Sequence, residues 1–251
     1  MKTAILGYGK MGHEIEKILR ARKHEITAVI DNEDDWRTEW QKFLDSDIAI
    51  EFSMPDVAVK NLYRCFDNEI PVVSGTTGWH NRLDEVRAYC AEKSGALVYG
   101  TNFSIGVNLF FRAAEWLAEQ MSHYQQYEPQ IEETHHITKK DKPSGTAITT
   151  AEVIMPHLRN LSGWVSDTKE EGKLTIISKR EGDVSGIHSL LFNSEADELE
   201  LRHTAKSRAG FAQGAVIAAE WLVNNGGIHD FRTVFANLTD NSNIRNFNLS
   251  Y

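Results

Sequence analysis

The chain has 251 residues, 41% of them hydrophobic, enough for a sizeable core and more than one domain. A formal charge of -9 and a sequence pI near 5.6 argue against a nucleic-acid groove or an anionic membrane surface as partner. The 2 cysteines, Cys65 and Cys90, have no metal-ligand spacing, so a disulfide framework and a zinc site are not indicated, and both are expected to be buried thiols. No apolar run has the length of a signal-peptide core or a bilayer span, which makes a soluble protein in a reducing cytoplasm the expectation.

Thr3 to Leu6 is a short apolar strand that runs into Gly7-Tyr8-Gly9-Lys10-Met11-Gly12 and then a helical pattern through Ile15, Ile18 and Leu19. This is G-x-G-x-x-G in the strand-to-helix setting where it binds dinucleotides: one glycine for the turn, one for close approach of the pyrophosphate, one for helix packing. A second strand, Glu25 to Ile30, ends at Asp31, which is placed to accept hydrogen bonds from an adenosine ribose. Asn32 to Asp45, with Trp36, Trp40 and Phe43, is expected to be a short connector. Strands then follow at Asp47 to Phe52, Ile70 to Ser74 and Ala96 to Tyr99, with a helix at Val57 to Asp67. Alternating strands and helices predict a doubly wound parallel sheet whose ligands sit at the carboxyl ends of the strands. Gly75, Thr76 and Thr77, and Gly100, Thr101, Asn102 and Phe103, lie at such ends and are candidates for the nicotinamide side.

Gly106 to Gln120 reads as an apolar helix, after which the pattern changes. Gln130 to Lys139, Leu174 to Arg180, Gly186 to Phe192 and Glu198 to Ala205 read as strands of a second, α+β domain with a mixed, largely antiparallel sheet. Arg180, Asp183, His188, His203 and Arg208 are taken as structural ion pairs or hydrogen bonds. Phe211 to Asn224 is a long small-residue helix, Asp230 caps a short helix through Leu238, and the Asn-rich tail to Tyr251 carries no readable function. The domain expectation is therefore 1–104 with 212–251 for the dinucleotide, and 105–211 for the substrate and for oligomerisation.

Glu132 to Ala147 concentrates titratable groups: His135, His136, Lys139, Lys140, Lys142, then Pro143-Ser144-Gly145-Thr146. Whether the segment is strand or helix, His135 and Lys139 share a face, an arrangement suited to general acid-base work on an anionic substrate. Ser144 is the expected N-cap of the next helix, whose N-terminus can bind a carboxylate.

With these motifs, and with Gly75-Thr76-Thr77-Gly78 and Asn102 to Asn108, the chain resembles the dihydrodipicolinate reductases of the lysine pathway from Gly7 to about Leu238. The His-His-x-x-Lys and Pro-Ser-Gly-Thr-Ala elements carry the resemblance furthest. It implies reduction of a cyclic unsaturated imine bearing two carboxylates, at C4, by a nicotinamide cofactor, giving tetrahydrodipicolinate. It implies His135 as acid/base and Lys139 as proton donor; His136, Ser144, Gly145 and Thr146 as substrate-binding; and Gly7 to Gly12, Asp31, Gly75 to Thr77 and Gly100 to Phe103 as cofactor-binding. It also implies a homotetramer assembled through the second domain's sheets. Where better-known members carry Arg after the ribose-binding acid, this chain has Asn32, so NADH is the expected cofactor, with NADPH the alternative. Two other readings stand beside this one, a different two-domain amino-acid-pathway dehydrogenase and a non-catalytic dinucleotide-binding redox sensor.

Overall fold

The structure, a computed structural model, describes residues 1–240. The chain divides into two compact units: Met1–Ile105 with the described residues from Arg208 onward, and Gly106–Ser207.

The first unit runs β1 (Lys2–Leu6), α1 (Lys10–Ala21), β2 (Glu25–Ile30), α2 (Glu33–Thr38), α3 (Trp40–Leu44), β3 (Ile48–Glu51), α4 (Pro55–Asp67), β4 (Val72–Ser74), α5 (Leu83–Glu92) and β5 (Leu97–Tyr99). The second contains α6 (Ile105–Met121), β6 (Glu128–His135), α7 (Gly145–Ile154), β7 (Trp164–Ser166), β8 (Leu174–Arg180), β9 (Ile187–Asn193) and β10 (Glu198–Thr204). The chain then returns to the first unit through α8 (Ala209–Asn225), β11 (Ile228–Asp230) and α9 (Phe231–Asp240).

The first sheet has the order β11-β5-β4-β3-β1-β2, and every pairing in it is parallel. Its central strands are buried on both faces, as a sheet covered by helices on both sides requires. Ala4, Leu6, Ala49 and Val72 face one core with α4 and α5, whereas Ile5, Ile48, Ile50, Val73 and Val98 face another with α1, α8 and α9. The strand order reverses beside β1, so the carboxyl ends of β1 and β3 flank the crevice where doubly wound sheets bind ligands.

The second sheet, β10-β9-β6-β8-β7, is mixed. Two of its pairings are antiparallel (β10 with β9, β9 with β6) and two are parallel (β6 with β8, β8 with β7). The parallel share exceeds the sequence expectation because α7 lies in the connection from β6 to β8, which returns the chain in the same direction. One face packs on α6 and α7 through Ile131, Ile176, Leu190, Phe192, Val107, Phe110, Ala147 and Ala151.

Other elements also depart from the sequence expectation. The strand expected to reach Lys139 stops at His135, and β7 and β11 were not expected. The connector after Asp31 forms two short helices, the first closed by an Asn32/Asp35 capping box. Most of the Asn-rich tail lies outside the described residues.

Candidate active site

The glycine turn of the first unit has the shape its three glycines predict. Gly7 adopts φ +93, and a Cβ there would stand 2.2 Å from the Phe52 carbonyl oxygen; one at Gly12 would stand 2.4 Å from the Gly7 oxygen. A Cβ at Gly9 would meet nothing within 4 Å, so this glycine leaves open the space into which a pyrophosphate would fit. Tyr8 N donates to Asp31 Oδ1 at 2.6 Å, which ties the expected ribose acid to the turn. Lys10 is exposed and Met11 half-buried at the start of α1.

After β4, Gly75 presses against Phe52, whose ring a Cβ at residue 75 would approach to 2.1 Å. Thr76 is buried and its hydroxyl turns inward to Glu51 at 2.8 Å, whereas Thr77 is exposed. After β5, Gly100 N donates to the Ser74 oxygen at 3.3 Å, Thr101 is exposed, and Asn102 Oδ1 accepts from Ser104 N at 2.9 Å. The Phe103 side chain lies in the core against Phe52 and Phe231. The carboxyl ends of β1, β2, β3, β4 and β5 thus gather the turn, the acid and the small polar residues that a nicotinamide dinucleotide needs, and they fit that group.

In the second unit, β6 delivers Glu133 and His135 to the helix-covered face, because residues two apart in a strand share a side. Glu133 is fully buried. Its Oε2 lies 2.5 Å from His135 Nδ1, and its Oε1 accepts from Ser144 N at 3.1 Å and from Arg180 Nη2 at 3.1 Å. Burial alone would raise this carboxyl, but hydrogen bonding, first from His135, holds it well below the usual carboxylate range. His188, on β9, sets its ring 5.0 Å from that of His135 and its Nε2 3.2 Å from Ser144 Oγ. Burial pushes His188 down to about 3, so it is neutral at ordinary pH. Gly186 makes room for this pair, since a Cβ there would come within 3.1 Å of His135 Nε2.

Ser144 caps α7, its Oγ accepting from Ala147 N at 3.2 Å, and the helix begins at Gly145 beside Thr146. A Cβ at Gly145 would meet nothing within 4 Å. Ser144 itself is buried and engaged with Glu133 and His188.

Between His135 and Ser144 the chain forms a turn, so strand alternation does not bring His135 and Lys139 to one face, and Ile137 is exposed. The turn is held in other ways: Ile137 N donates to the Gly182 oxygen, Glu181 N to the His135 oxygen, and Arg180 Nη2 to the Asp141 oxygen at 2.7 Å. Lys139 is half-buried and pairs with Asp141 at 2.7 Å. His136 is half-buried, with Nδ1 2.7 Å from Thr138 Oγ1. Glu133, Arg180, His188 and Gly186 were not named as site residues from sequence; only Glu133 carried a local signal, its two-residue spacing from His135.

Donor atoms of Glu133, His135 and His188 lie within 4.8 Å of one another, as in a metal-binding set. At 2.5 Å, Glu133 Oε2 and His135 Nδ1 stand closer than two ligands on one tetrahedral ion. We therefore read the cluster as an ion pair set in a hydrogen-bonded network with Ser144 and Arg180.

Comparison with known proteins gives a consistent result. The family model described as "Dihydrodipicolinate reductase, N-terminus" matches residues 1–103, and that described as "Dihydrodipicolinate reductase, C-terminus" matches residues 106–235. The chain is 44% identical over 241 residues to a 4-hydroxy-tetrahydrodipicolinate reductase of Christiangramia forsetii, covering 96% of this chain and 100% of that one. It is 34% identical to one from Neisseria meningitidis, over 75% of this chain and 72% of the relative. Among solved structures, a dipicolinate-bound dihydrodipicolinate reductase from Paenisporosarcina sp. TG-14 superposes with TM-score 0.76 at 22% identity, covering 93% of this chain and 99% of that one.

Proposed function

The chain belongs to the dihydrodipicolinate reductase family, and from that premise we infer how its own residues carry out the reaction. It is an oxidoreductase that reduces 4-hydroxy-tetrahydrodipicolinate, after loss of water, to tetrahydrodipicolinate in lysine and diaminopimelate biosynthesis. The bound nicotinamide cofactor supplies hydride to C4 of the substrate ring.

The second unit holds the substrate and moves the proton. One carboxylate is received by Gly145 and Thr146 at the α7 N-terminus, with His136 and the neighbouring lysines, since a helix start with its N–H groups and nearby cations suits an anion. Dipicolinate, planar and with both carboxylates, fits the same groups. As electrons move through the ring, the resulting enamine must be protonated; Lys139 is the donor, and His135, oriented by Glu133, is its acid/base partner. The observation that carries this reading is the Glu133 carboxylate, which joins the His135 imidazole to the Ser144 amide and so sets the acid/base group against the carboxylate-binding helix start.

The first unit favours NADH. Asp31 is followed by Asn32, Glu33, Asp34 and Asp35, and Arg37 is already paired with Asp34 at 3.0 Å, so a 2'-phosphate would meet like charge. A cytoplasmic homotetramer completes the proposal. The sheet face turned away from α6 and α7 carries Ile177, Ile187 and Leu191 for assembly, and sedimentation at the 28.4 kDa monomer mass would overturn it. The decisive assay generates substrate in situ with dihydrodipicolinate synthase and follows cofactor absorbance; no oxidation at saturating concentrations would sink the reading of the site.

A further inference from the structure

Glu51, the last residue of β3, is fully buried in the first unit, and the chemistry described above makes no use of it. Its Oε1 accepts from Ser53 N at 3.0 Å, from Thr76 Oγ1 at 2.8 Å and from the Ser53 hydroxyl, while Oε2 accepts from Ser74 Oγ at 2.7 Å. Its backbone joins the same arrangement, the carbonyl accepting from Gly75 N at 2.9 Å. Ser53 N also reaches Thr76 Oγ1 at 2.8 Å, and Asn61 Nδ2 reaches the Ser53 hydroxyl at 3.4 Å. Among the described residues no cationic side chain pairs with this carboxylate, and burial raises its pKa against the hydrogen bonds that lower it.

A carboxylate in such a place is a poor device for stability, because apolar replacement of buried charge is often neutral or favourable. What it does offer is acceptor capacity: several lone pairs and no proton of its own to place, so that donors from separate turns converge on it. The donors here come from the turn after β3, the end of β4 and the turn after β4. Those turns carry Phe52, whose carbonyl abuts Gly7 and whose ring abuts Gly75. A shift of either turn therefore displaces the glycine turn and the Gly75–Thr77 segment together.

We propose that Glu51 is a positioning residue for the nicotinamide dinucleotide: its carboxylate is the shared acceptor that fixes the turns after β3 and β4, and through Phe52 the glycine turn, in the arrangement the cofactor requires. This rests on the cofactor reading of the first unit. Glu51→Gln keeps the volume but replaces one acceptor oxygen with an amide donor, so that a hydroxyl now donating to it must turn round and accept, whereas Glu51→Asp keeps the acceptor and shortens its reach.

The test measures NADH binding to the full-length protein by fluorescence titration, with thermal unfolding and steady-state kinetics on the same samples. Glu51→Gln is expected to weaken NADH binding about tenfold or more, the scale of lost hydrogen bonds to a charged group. The cofactor KM should rise with it while the substrate KM stays unchanged, and Glu51→Asp should recover part of the affinity. Ser74→Ala, which removes one donor and leaves the carboxylate in place, is expected to weaken binding in the same direction by less, and it keeps the test open if Glu51→Gln does not fold. A folded Glu51→Gln, or a folded Ser74→Ala if the former does not fold, that binds NADH as the wild type does overturns the proposal, even where its melting temperature has dropped. Wild-type protein that itself fails to bind NADH or NADPH overturns the cofactor reading instead.

Discussion

Glu133 Oε2 stands 2.5 Å from His135 Nδ1, while the other oxygen of the same carboxylate receives the Ser144 amide. The orientation of the His135 imidazole and the start of α7 thus depend on one buried group. Glu133→Gln keeps the shape but removes the charge, leaving His135 free to hold the wrong tautomer. The variant should lose about 10²-fold or more in kcat, the lower range for a misplaced general acid, with cofactor affinity unchanged. Single-turnover kinetics check this, and an unaltered kcat would remove Glu133 from the mechanism.

In the proposed mechanism His135 and Lys139 serve one proton transfer. His135→Gln and Lys139→Met should each lower kcat by about 10²- to 10⁴-fold, and the double variant should be scarcely worse than the poorer single one. His136→Gln should act mainly on the substrate KM. If His136→Gln abolished turnover and His135→Gln did not, the roles would have to be exchanged.

His188 links pH to stability. In the unfolded chain it titrates near 6.5, whereas in the native protein burial depresses it to about 3, so the unfolded state holds the extra proton at intermediate pH. Its contribution is complete above pH 6.5 and is lost as pH falls, by about 1.4 kcal/mol per unit. His135, Glu133, His203 and Lys139 also face this ring, so the informative quantity is a difference between proteins. From pH 6.5 to about 5, before carboxylates dominate, wild type should lose stability more steeply than His188→Gln. Parallel denaturant midpoints across that range would refute the assignment.

Cofactor choice should follow the charge beyond β2. NADH is expected to give a kcat/KM at least equal to that with NADPH. Asn32→Arg should shift the ratio toward NADPH, while costing roughly 0.5 to 2 kcal/mol because Asn32 caps α2. A strong wild-type preference for NADPH would mean that another cation, such as Lys10, reaches the 2'-phosphate.

Pyridine-2,6-dicarboxylate should compete with the substrate. Thr146→Val should weaken it by about 1 to 3 kcal/mol, the cost of a lost hydrogen bond to a charged group. An inhibition constant that does not move would take the α7 start out of the substrate site.

What could be read from the sequence was what neighbouring residues determine. The glycine turn, Asp31 after β2 and the Ser144 cap each need only a few adjacent positions; the structure forms the turn and the cap as expected and ties Asp31 to the turn through Tyr8 N. The partners of Glu133 and His135 were harder to see because they come from distant strands: Arg180 from β8, His188 from β9. The polar run after His135 alternates well enough to pass for strand, but Arg180 and Gly182 hold it as a turn, and no local pattern announces that bond. Strands β7 and β11 escaped notice because each is three residues long and owes its existence to a paired neighbour.

The return of the chain into its first unit has a consequence for biosynthesis. One face of the parallel sheet, with Ile5, Ile48, Ile50, Val73 and Val98, is covered by Ala212, Ala215, Val216, Ala219 and Leu222 of α8. A nascent chain that has left the ribosome as far as Ser207 has its entire second unit available for folding, yet still exposes the part of that face that α1 leaves uncovered and the unpaired edge of β5. The order of completion is therefore inverted with respect to the order of synthesis. During that interval the early-made strands are the aggregation-prone part of the molecule, and the later-made α8 and α9 are the helices that protect them.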